Sequence, residues 1–264
     1  MCHISQSGSS AAKPFSSEYY RYLLKELLKT HRPITYDRLD EGRNGNCFLL
    51  RHDIDYGLEF LGDVPEIEVE LGCKATYFIQ VGTDLYNIFG PEQQKELARL
   101  KALGHRFGLH TCSCENTGRE NLENFIDWEA SVLLKTVPKL DAVSFHVPPS
   151  YICKNEIRLK KYVNTYDKID MQGFEYMSDS CRRWSKGDPV EYIHAHPDQS
   201  YQILAHPFLW GNGQQTFVDT VAYDIRTKVR GLYRYLSEYN RELADYGVIR
   251  FFEESTEILK KNGK

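Results

Sequence analysis

The sequence lacks the features that would place the protein in a membrane or on a nucleic acid. No apolar run approaches the roughly 18–20 residues that span a bilayer. Residues 1–12 are polar and serine-rich, without the apolar stretch of a signal peptide. The net charge is −4, and no basic block stands out that would attract phosphate groups. We therefore expect a soluble, cytoplasmic protein with no membrane span and no nucleic-acid partner.

Paired cysteines and a nucleotide-binding glycine motif are missing as well. None of the seven cysteines forms a C-x-x-C pair, so neither a zinc knuckle nor a disulfide framework is indicated. Scattered free thiols are typical of a reducing compartment. No G-x-G-x-x-G follows the first strand, which argues against a dinucleotide-binding fold.

What the sequence does contain is a regular alternation of short β-rich stretches and helical stretches. This alternation predicts an α/β fold in which helices cover a parallel sheet. About seven strands, several of which end in a polar residue, favour a closed or nearly closed barrel, with an open doubly wound sheet as the alternative. The strands are predicted to begin at Cys47, Ala75, Arg106, Ala142, Tyr162, Glu175 and Tyr201.

The predicted organisation is one main domain with short additions at both ends. Residues 1–13 are expected to form a disordered tail, and residues 14–46 a helix and a lead-in that pack on the barrel. The barrel domain is predicted to cover residues 47–255, with one long helix over about Val218 to Tyr246 closing it. Residues 256–264 are expected to form a C-terminal tail.

Acids and histidines stand where several predicted strands end. The apolar strand from Cys47 runs directly into Arg51-His-Asp-Ile-Asp55. The carboxyl ends of parallel strands meet at one edge, and charged groups rarely end a buried strand unless they are paired or bind a metal. Carboxylate and imidazole donors suit a catalytic divalent metal such as zinc with an open position for water. The other strand-end residues are His110, His146, Asp179 and His206.

Four motifs in order carry a family resemblance. They are Arg51-His-Asp-Ile-Asp55, Ala75-Thr-Tyr-Phe78, Gly104-His-Arg-Phe-Gly-Leu-His-Thr111 and Leu204-Ala-His206-Pro. With them, residues 47–210 resemble the polysaccharide deacetylase superfamily, and most closely its divergent members with an Arg-His-Asp-x-Asp opening. The resemblance implies a distorted (β/α)7 barrel and a metal-dependent hydrolase that removes an acetyl group from an N-acetylated sugar or related amide. Its substrate would be a small molecule or an oligosaccharide, and its cofactor a divalent metal, with Zn²⁺ expected.

The resemblance also implies a role for each matching residue. Asp53 matches the catalytic base, and Asp55 and His110 match metal ligands. His206 matches the general acid, which Asp179 would orient together with Trp184 at the border of the pocket. The expected substrate contacts are Arg51, His52, Tyr151, Trp184 and Trp210.

Two positions depart from the pattern of the family. Where the family has its second ligand histidine, this sequence has Cys114, whose thiolate can also bind zinc. Cys114 and His146 are therefore equal candidates for the third ligand. In the family an arginine orients the base, but this sequence has His146 at the matching position. Arg51 or His52 would therefore have to replace that arginine.

Three other interpretations follow from the same residues. The departures allow a catalytically degenerate, carbohydrate-binding relative. Asp53 and Asp55 also form the D-x-D of a sugar-nucleotide glycosyltransferase, but only about 50 residues precede them, too few for its nucleotide-binding region. His194-Ala-His196 resembles a hydrolase metal pair, but we expect it in a polar surface loop.

Overall fold

A computed structural model of the protein describes residues 12–43, 45–112, 118–154, 157–211, 213–214, 216–248 and 250. The contacts within the chain form two compact units, which divide between Gly213 and Gln214. The first unit contains the sheet and the residues predicted to form the site. The domain boundaries given by the sequence remain predictions.

The sheet of the first unit is parallel throughout and curled into a half-barrel. In the described part of the chain its eight strands follow the order β6-β5-β4-β3-β2-β8-β7, and β1 pairs with β2. This arrangement confirms the predicted α/β class and the curled (β/α) barrel with surrounding helices. The strands are β1 (Arg32–Ile34), β2 (Cys47–Ile54), β3 (Thr76–Ile79), β4 (Arg106–Thr111), β5 (Ala142–Phe145), β6 (Val163–Asn164), β7 (Phe174–Ser178) and β8 (Ser200–Leu204).

Strand β2 is the central strand, and every one of its residues is buried. Strand β8 pairs with it on one side over Phe48 to Arg51. On the other side, β1 pairs with the first half of β2, and β3 pairs with β2 from Arg51 to Ile54. Strands covered on both faces are typical of parallel sheets. Strand β1 was not predicted, because three residues that include Pro33 give no strand pattern.

Some helices of the first unit begin or end at ordinary capping signals. Helix α1 begins after Ser16, whose Oγ accepts a hydrogen bond from the Tyr19 amide at 3.1 Å. Helix α4 matches the prediction at both ends, and Gly104 closes it in the left-handed conformation with φ 78°. These helices are α1 (Ser17–Leu27), α2 (Leu39–Gly42), α3 (Val64–Glu70), α4 (Pro91–Leu103), α5 (Leu122–Leu133), α6 (Ser150–Cys153) and α7 (Pro189–Ala195).

Two predictions about helices were wrong. The segment that carries His194 is not a loop but helix α7, which Asp188 caps by accepting hydrogen bonds from the Val190 and Glu191 amides. In the second unit the predicted long helix is divided into α8 (Phe217–Tyr239) and α9 (Arg241–Tyr246). The division falls at Asn240, whose Oδ1 accepts a hydrogen bond from the Leu243 amide at 3.0 Å and so starts a new helix.

Among the described residues, no helix is both long enough and apolar enough to cross a membrane.

Candidate functional site

The alternation of side chains along β2 separates the predicted site residues onto two faces. Arg51 and Asp53 lie on the inner face, where the Arg51 Nε donates to Asp53 Oδ1 at 2.9 Å and Nη2 donates to Oδ2 at 2.7 Å. His52 lies on the outer face, towards helices α1 and α3. Burial alone would raise the pKa of Asp53, but the charge of Arg51 holds it below its usual value. Asp53 is therefore ionised and oriented by an arginine from its own strand.

Asp55, His110 and His146 form the cluster that is able to hold a metal ion. Asp55 Oδ1 lies 3.2 Å from His110 Nε2 and 3.3 Å from His146 Nδ1. One ligand atom from each of the three residues lies within 4.8 Å of the others. Burial would raise the pKa of Asp55, but its contacts with His110 and His146 and the charge of His206 hold it well below its usual value. A carboxylate and two imidazoles are a common donor set for a catalytic divalent ion.

Hydrogen bonding of His110 tests whether these residues fit a cation. Ser144 Oγ donates to Asp53 Oδ1 at 3.3 Å and lies 2.6 Å from His110 Nδ1. Because the serine hydrogen points to Asp53, the hydrogen between Ser144 and His110 belongs to Nδ1. In the neutral ring, Nε2 then has a lone pair that faces the Asp55 carboxylate. Two acceptors that face each other fit a cation, and an outer hydrogen bond that fixes the tautomer is usual for a ligand histidine.

His206 lies at the edge of this cluster and is held by Asp179. Its Nδ1 donates to Asp179 Oδ1 at 2.6 Å, while Nε2 lies 3.7 Å from Asp55 Oδ2. Asp179 also accepts the indole hydrogen of Trp210 at 2.8 Å. Burial would lower the pKa of His206, but the charge and hydrogen bond of Asp179 raise it to about 9. His206 is therefore protonated at neutral pH and presents an N–H next to Asp55.

The backbone directly after His146 is strained. Val147 has φ 44° and is 67% exposed. A β-branched residue rarely adopts a positive φ, because its side chain crowds the backbone there. Such strain occurs most often where the chain has to present a functional group.

The structure brings together most of the predicted catalytic and metal-binding residues. Asp53, Asp55, His110, His146 and His206 lie around one point at the carboxyl edge of the sheet, with Asp179 behind His206. Of the two candidates for the third ligand, His146 lies at the cluster. Cys114 lies outside the described residues.

The predicted substrate contacts are distributed differently. Arg51, His52 and Trp210 are buried and hold other protein groups, so they do not line an open cleft. Trp184 is half-buried and lies edge-on to Trp210, with ring centroids 6.2 Å apart. Tyr151 is half-buried in α6, which follows β5. Substrate contact by Trp184 and Tyr151 remains a prediction.

His194 in α7 and His196 directly after it do not form a metal pair. His194 Nε2 lies 3.0 Å from Glu26 Oε2, whereas His196 Nδ1 lies 2.9 Å from the Tyr192 carbonyl oxygen. They face different partners, as expected for structural residues.

Three supporting residues were missed by the sequence analysis. Ser144 joins His110 to Asp53, and the Gln80 amide donates to Asp55 Oδ1 at 3.4 Å. Tyr166 accepts a hydrogen bond from Arg51 Nη2 at 3.0 Å, and its ring lies 4.8 Å from the guanidinium carbon. Only Ser144 carried a signal, since it lies two residues before His146 and therefore on the same face of β5.

Comparisons with known proteins gave structural likenesses only. No family model matches the sequence, and no curated protein matches it. The chain is similar to the chitin deacetylase of the fungal pathogen Colletotrichum lindemuthianum, with a TM-score of 0.43 and 13% identity over 75% of this chain and 86% of that one. It is also similar to the Streptococcus pyogenes deacetylase PplD, solved in complex with acetate, with a TM-score of 0.39 and 14% identity over 72% and 80% of the two chains. These likenesses assign no activity, and the geometry of the site is what bears on function.

Proposed function

We propose that the protein is a metal-dependent hydrolase that removes an acetyl group from an N-acetylated sugar or a related amide, and not from a peptide. The observation that carries the proposal is the Asp55–His110–His146 cluster, which has an ionised acid on one side and a protonated histidine on the other. A metal ligand set flanked by a base and an acid is the arrangement that amide hydrolysis needs.

Asp55, His110 and His146 would hold the metal, and zinc suits these donors. A divalent ion bound there supplies a Lewis acid that polarises a carbonyl group and lowers the pKa of water. Ser144 keeps His110 in the tautomer that offers Nε2. Gln80 donates to the same Asp55 oxygen that faces both histidines, and so limits rotation of the carboxylate.

Asp53 and His206 would move the protons. Asp53, kept ionised by Arg51, takes the proton of the attacking water. His206, kept protonated by Asp179, gives the proton of Nε2 to the leaving amine. Their pKa values lie on opposite sides of neutral pH, which is how one site supplies an acid and a base together.

One observation favours a second candidate, a catalytically degenerate protein that binds carbohydrate without cleaving it. Both oxygens of Asp53 accept hydrogen bonds from Arg51, and its side chain is only 3% exposed. A carboxylate so strongly paired is a weak base. The two functions share the metal site and differ in turnover.

The experiment joins elemental analysis with an assay of acetate release from N-acetylglucosamine oligomers. The wild-type protein is expected to contain about one divalent ion per chain and to release acetate. Asp55→Ala and His110→Ala are expected to lose the ion, whereas Asp53→Asn keeps the ion and loses turnover. Acetate release by Asp53→Asn would refute the role of Asp53 as base. A bound ion without any turnover in the wild-type protein would favour the degenerate alternative.

We also propose that the protein works in the reducing cytoplasm. Among the cysteines in the described part of the chain, Cys47, Cys73 and Cys181 are free thiols. Free thiols are typical of such a compartment.

A further inference from the structure

The outer face of β2 carries a buried polar cluster that the proposed reaction does not use. We call it the outer cluster, and it consists of His52, Glu68, Tyr20, Tyr77 and His105. Glu68 lies in α3 and Tyr20 in α1, and both pack against the side of β2 opposite to Asp53. All five side chains are buried. Ionisable groups so far from water persist only when they are paired.

Glu68 is the centre of the outer cluster and is fully paired. Its Oε1 lies 2.6 Å from the Tyr20 hydroxyl and 2.5 Å from His52 Nε2, and its Oε2 accepts from the Tyr77 hydroxyl at 2.8 Å. Burial would raise the pKa of Glu68, but the charge and hydrogen bond of His52 lower it. Glu68 is therefore a carboxylate held by three donors.

The partners of His52 define its protonation state. Its Nδ1 lies 2.8 Å from the Ala205 carbonyl oxygen, which can only accept a hydrogen bond. Its Nε2 faces the Glu68 carboxylate, which also accepts. Both ring nitrogens therefore carry hydrogen, and His52 is a buried cation that donates in two directions.

The hydrogen bond to Ala205 acts on the peptide that leads into His206. The carbonyl of Ala205 and the amide of His206 belong to one peptide group, which is planar. His52 holds the carbonyl end of this group, and Asp179 holds the other end, since the His206 N–H lies 3.1 Å from both Asp179 oxygens. The Ala205–His206 peptide group, which directly precedes the His206 side chain, is thus held from both faces of the sheet.

A second connection runs from the outer cluster to the same residue. The ring of Tyr20 lies 5.0 Å from that of Trp210, edge to face. Trp210 donates to Asp179 Oδ2, and Asp179 accepts from His206 Nδ1. Helix α1 therefore takes part in orienting His206.

We propose that His52 is a positioning residue for His206, acting through its hydrogen bond to the Ala205 carbonyl. The inference rests on the proposed function, in which His206 is the general acid. It gives His52 a role on the far side of the sheet from the substrate, in place of the substrate contact expected from the sequence.

Two substitutions separate this role from a merely structural one. In His52→Asn, the side-chain amide nitrogen replaces Nδ1, so the bond to Ala205 is kept and the bond to Glu68 is lost. In His52→Gln, the amide nitrogen replaces Nε2, so the bond to Glu68 is kept and the bond to Ala205 is lost. His52→Gln is therefore expected to be the more stable variant and His52→Asn the more active one. If His52 had only a structural role, the more stable of the two variants would also be the more active one.

The measurements are thermal unfolding, the kinetics of acetate release from N-acetylglucosamine oligomers, and hydrogen exchange of the His206 amide. In His52→Gln, kcat is expected to fall about 10- to 100-fold, as for other supporting contacts, with KM nearly unchanged. Protection of the His206 amide should fall in the same variant but not in His52→Asn. Tyr77→Phe is the control, because it removes a donor to Glu68 without touching Ala205. It should lower the melting temperature and leave kcat unchanged.

The outcomes distinguish this inference from the proposed function. A wild-type protein that releases no acetate would contradict the proposed function, while the exchange of the His206 amide would still decide the role of His52. Equal His206 protection in His52→Gln and wild type would overturn the inference. A loss of kcat that follows the loss of stability across the three variants would overturn it as well.

Discussion

The two faces of β2 carry charges of the same kinds but differ in how these charges are satisfied. On the outer face, Glu68 has three donors and His52 has two acceptors, so this cluster is closed. On the inner face, Asp55 faces two imidazoles, and within the described residues Arg51 Nη1 has no hydrogen-bond partner. Buried polar groups are normally satisfied, so an exception calls for an explanation. The closed face is therefore satisfied within the protein, whereas on the open face Asp55 and its two imidazoles are able to bind an ion.

The largest expected effect comes from breaking the closed face. Glu68→Ala leaves the His52 cation buried without its partner and leaves two tyrosine hydroxyls without an acceptor. Removing one member of a buried ion pair costs about 3–5 kcal/mol of the free energy of unfolding. Urea unfolding measures this loss, and titration with Zn²⁺ below the unfolding midpoint should find the metal affinity unchanged. An equal loss of metal affinity would show that the outer cluster also holds the metal ligands in place.

The complementary change is made behind the candidate site, at Asp179. Asp179→Asn removes the charge that raises the pKa of His206 to about 9 against the lowering effect of burial. The acid form of His206 is lost as pH rises through its pKa, so the basic limb of the kcat profile should move to lower pH. We expect kcat at pH 8 to fall about 10²-fold, within the usual contribution of a general acid. If the basic limb of the kcat profile does not move, the group that titrates there is not His206.

Much of this comparison could be predicted from the sequence, because it depends on local pattern. An apolar strand followed by acids placed Asp53 and Asp55 at the carboxyl edge of the sheet. The period of two residues along β2 also separates His52 from Arg51 and Asp53, although the sequence analysis grouped all of them as site residues. Tertiary contacts decided what remained. The sequence left His146 and Cys114 as equal candidates for the third ligand, and only the structure shows His146 next to Asp55. No local pattern indicates that Tyr20 of α1 reaches Glu68.

Glu129 sharpens the contrast between paired and unpaired acids. It is fully buried in α5, and within the described residues neither of its oxygens has a hydrogen-bond partner of good geometry. Burial raises its pKa to about 7, partly opposed by Thr111. Since the pKa in the folded protein is above the unfolded value, the contribution of Glu129 to stability is fully present below about pH 4.5 and is lost as pH rises through 7.

Glu129→Gln should therefore stabilise the protein increasingly as pH rises from about 4.5 to 7, where the unfolded chain loses the proton that the folded protein keeps. We expect a gain of about 1–3 kcal/mol in the free energy of unfolding at pH 8 and a much smaller gain at pH 5. Glu123→Gln is the matched control on the same helix, because Glu123 is partly exposed and paired with Lys160. A gain that is equal at both pH values would mean that the pKa of Glu129 is not raised in the folded protein.

The smallest expected effect is at the strained edge of the open face. Asn tolerates a positive φ better than a β-branched residue, so Val147→Asn should relieve strain worth about 1 kcal/mol and stabilise the metal-free protein. Val218→Asn is the control, since Val218 is 73% exposed but lies in the regular helix α8. If strain helps to hold His146 near Asp55, Val147→Asn should at the same time bind Zn²⁺ more weakly. A variant that gains stability and keeps its metal affinity would show that the strain serves the turn after β5 and not the metal site.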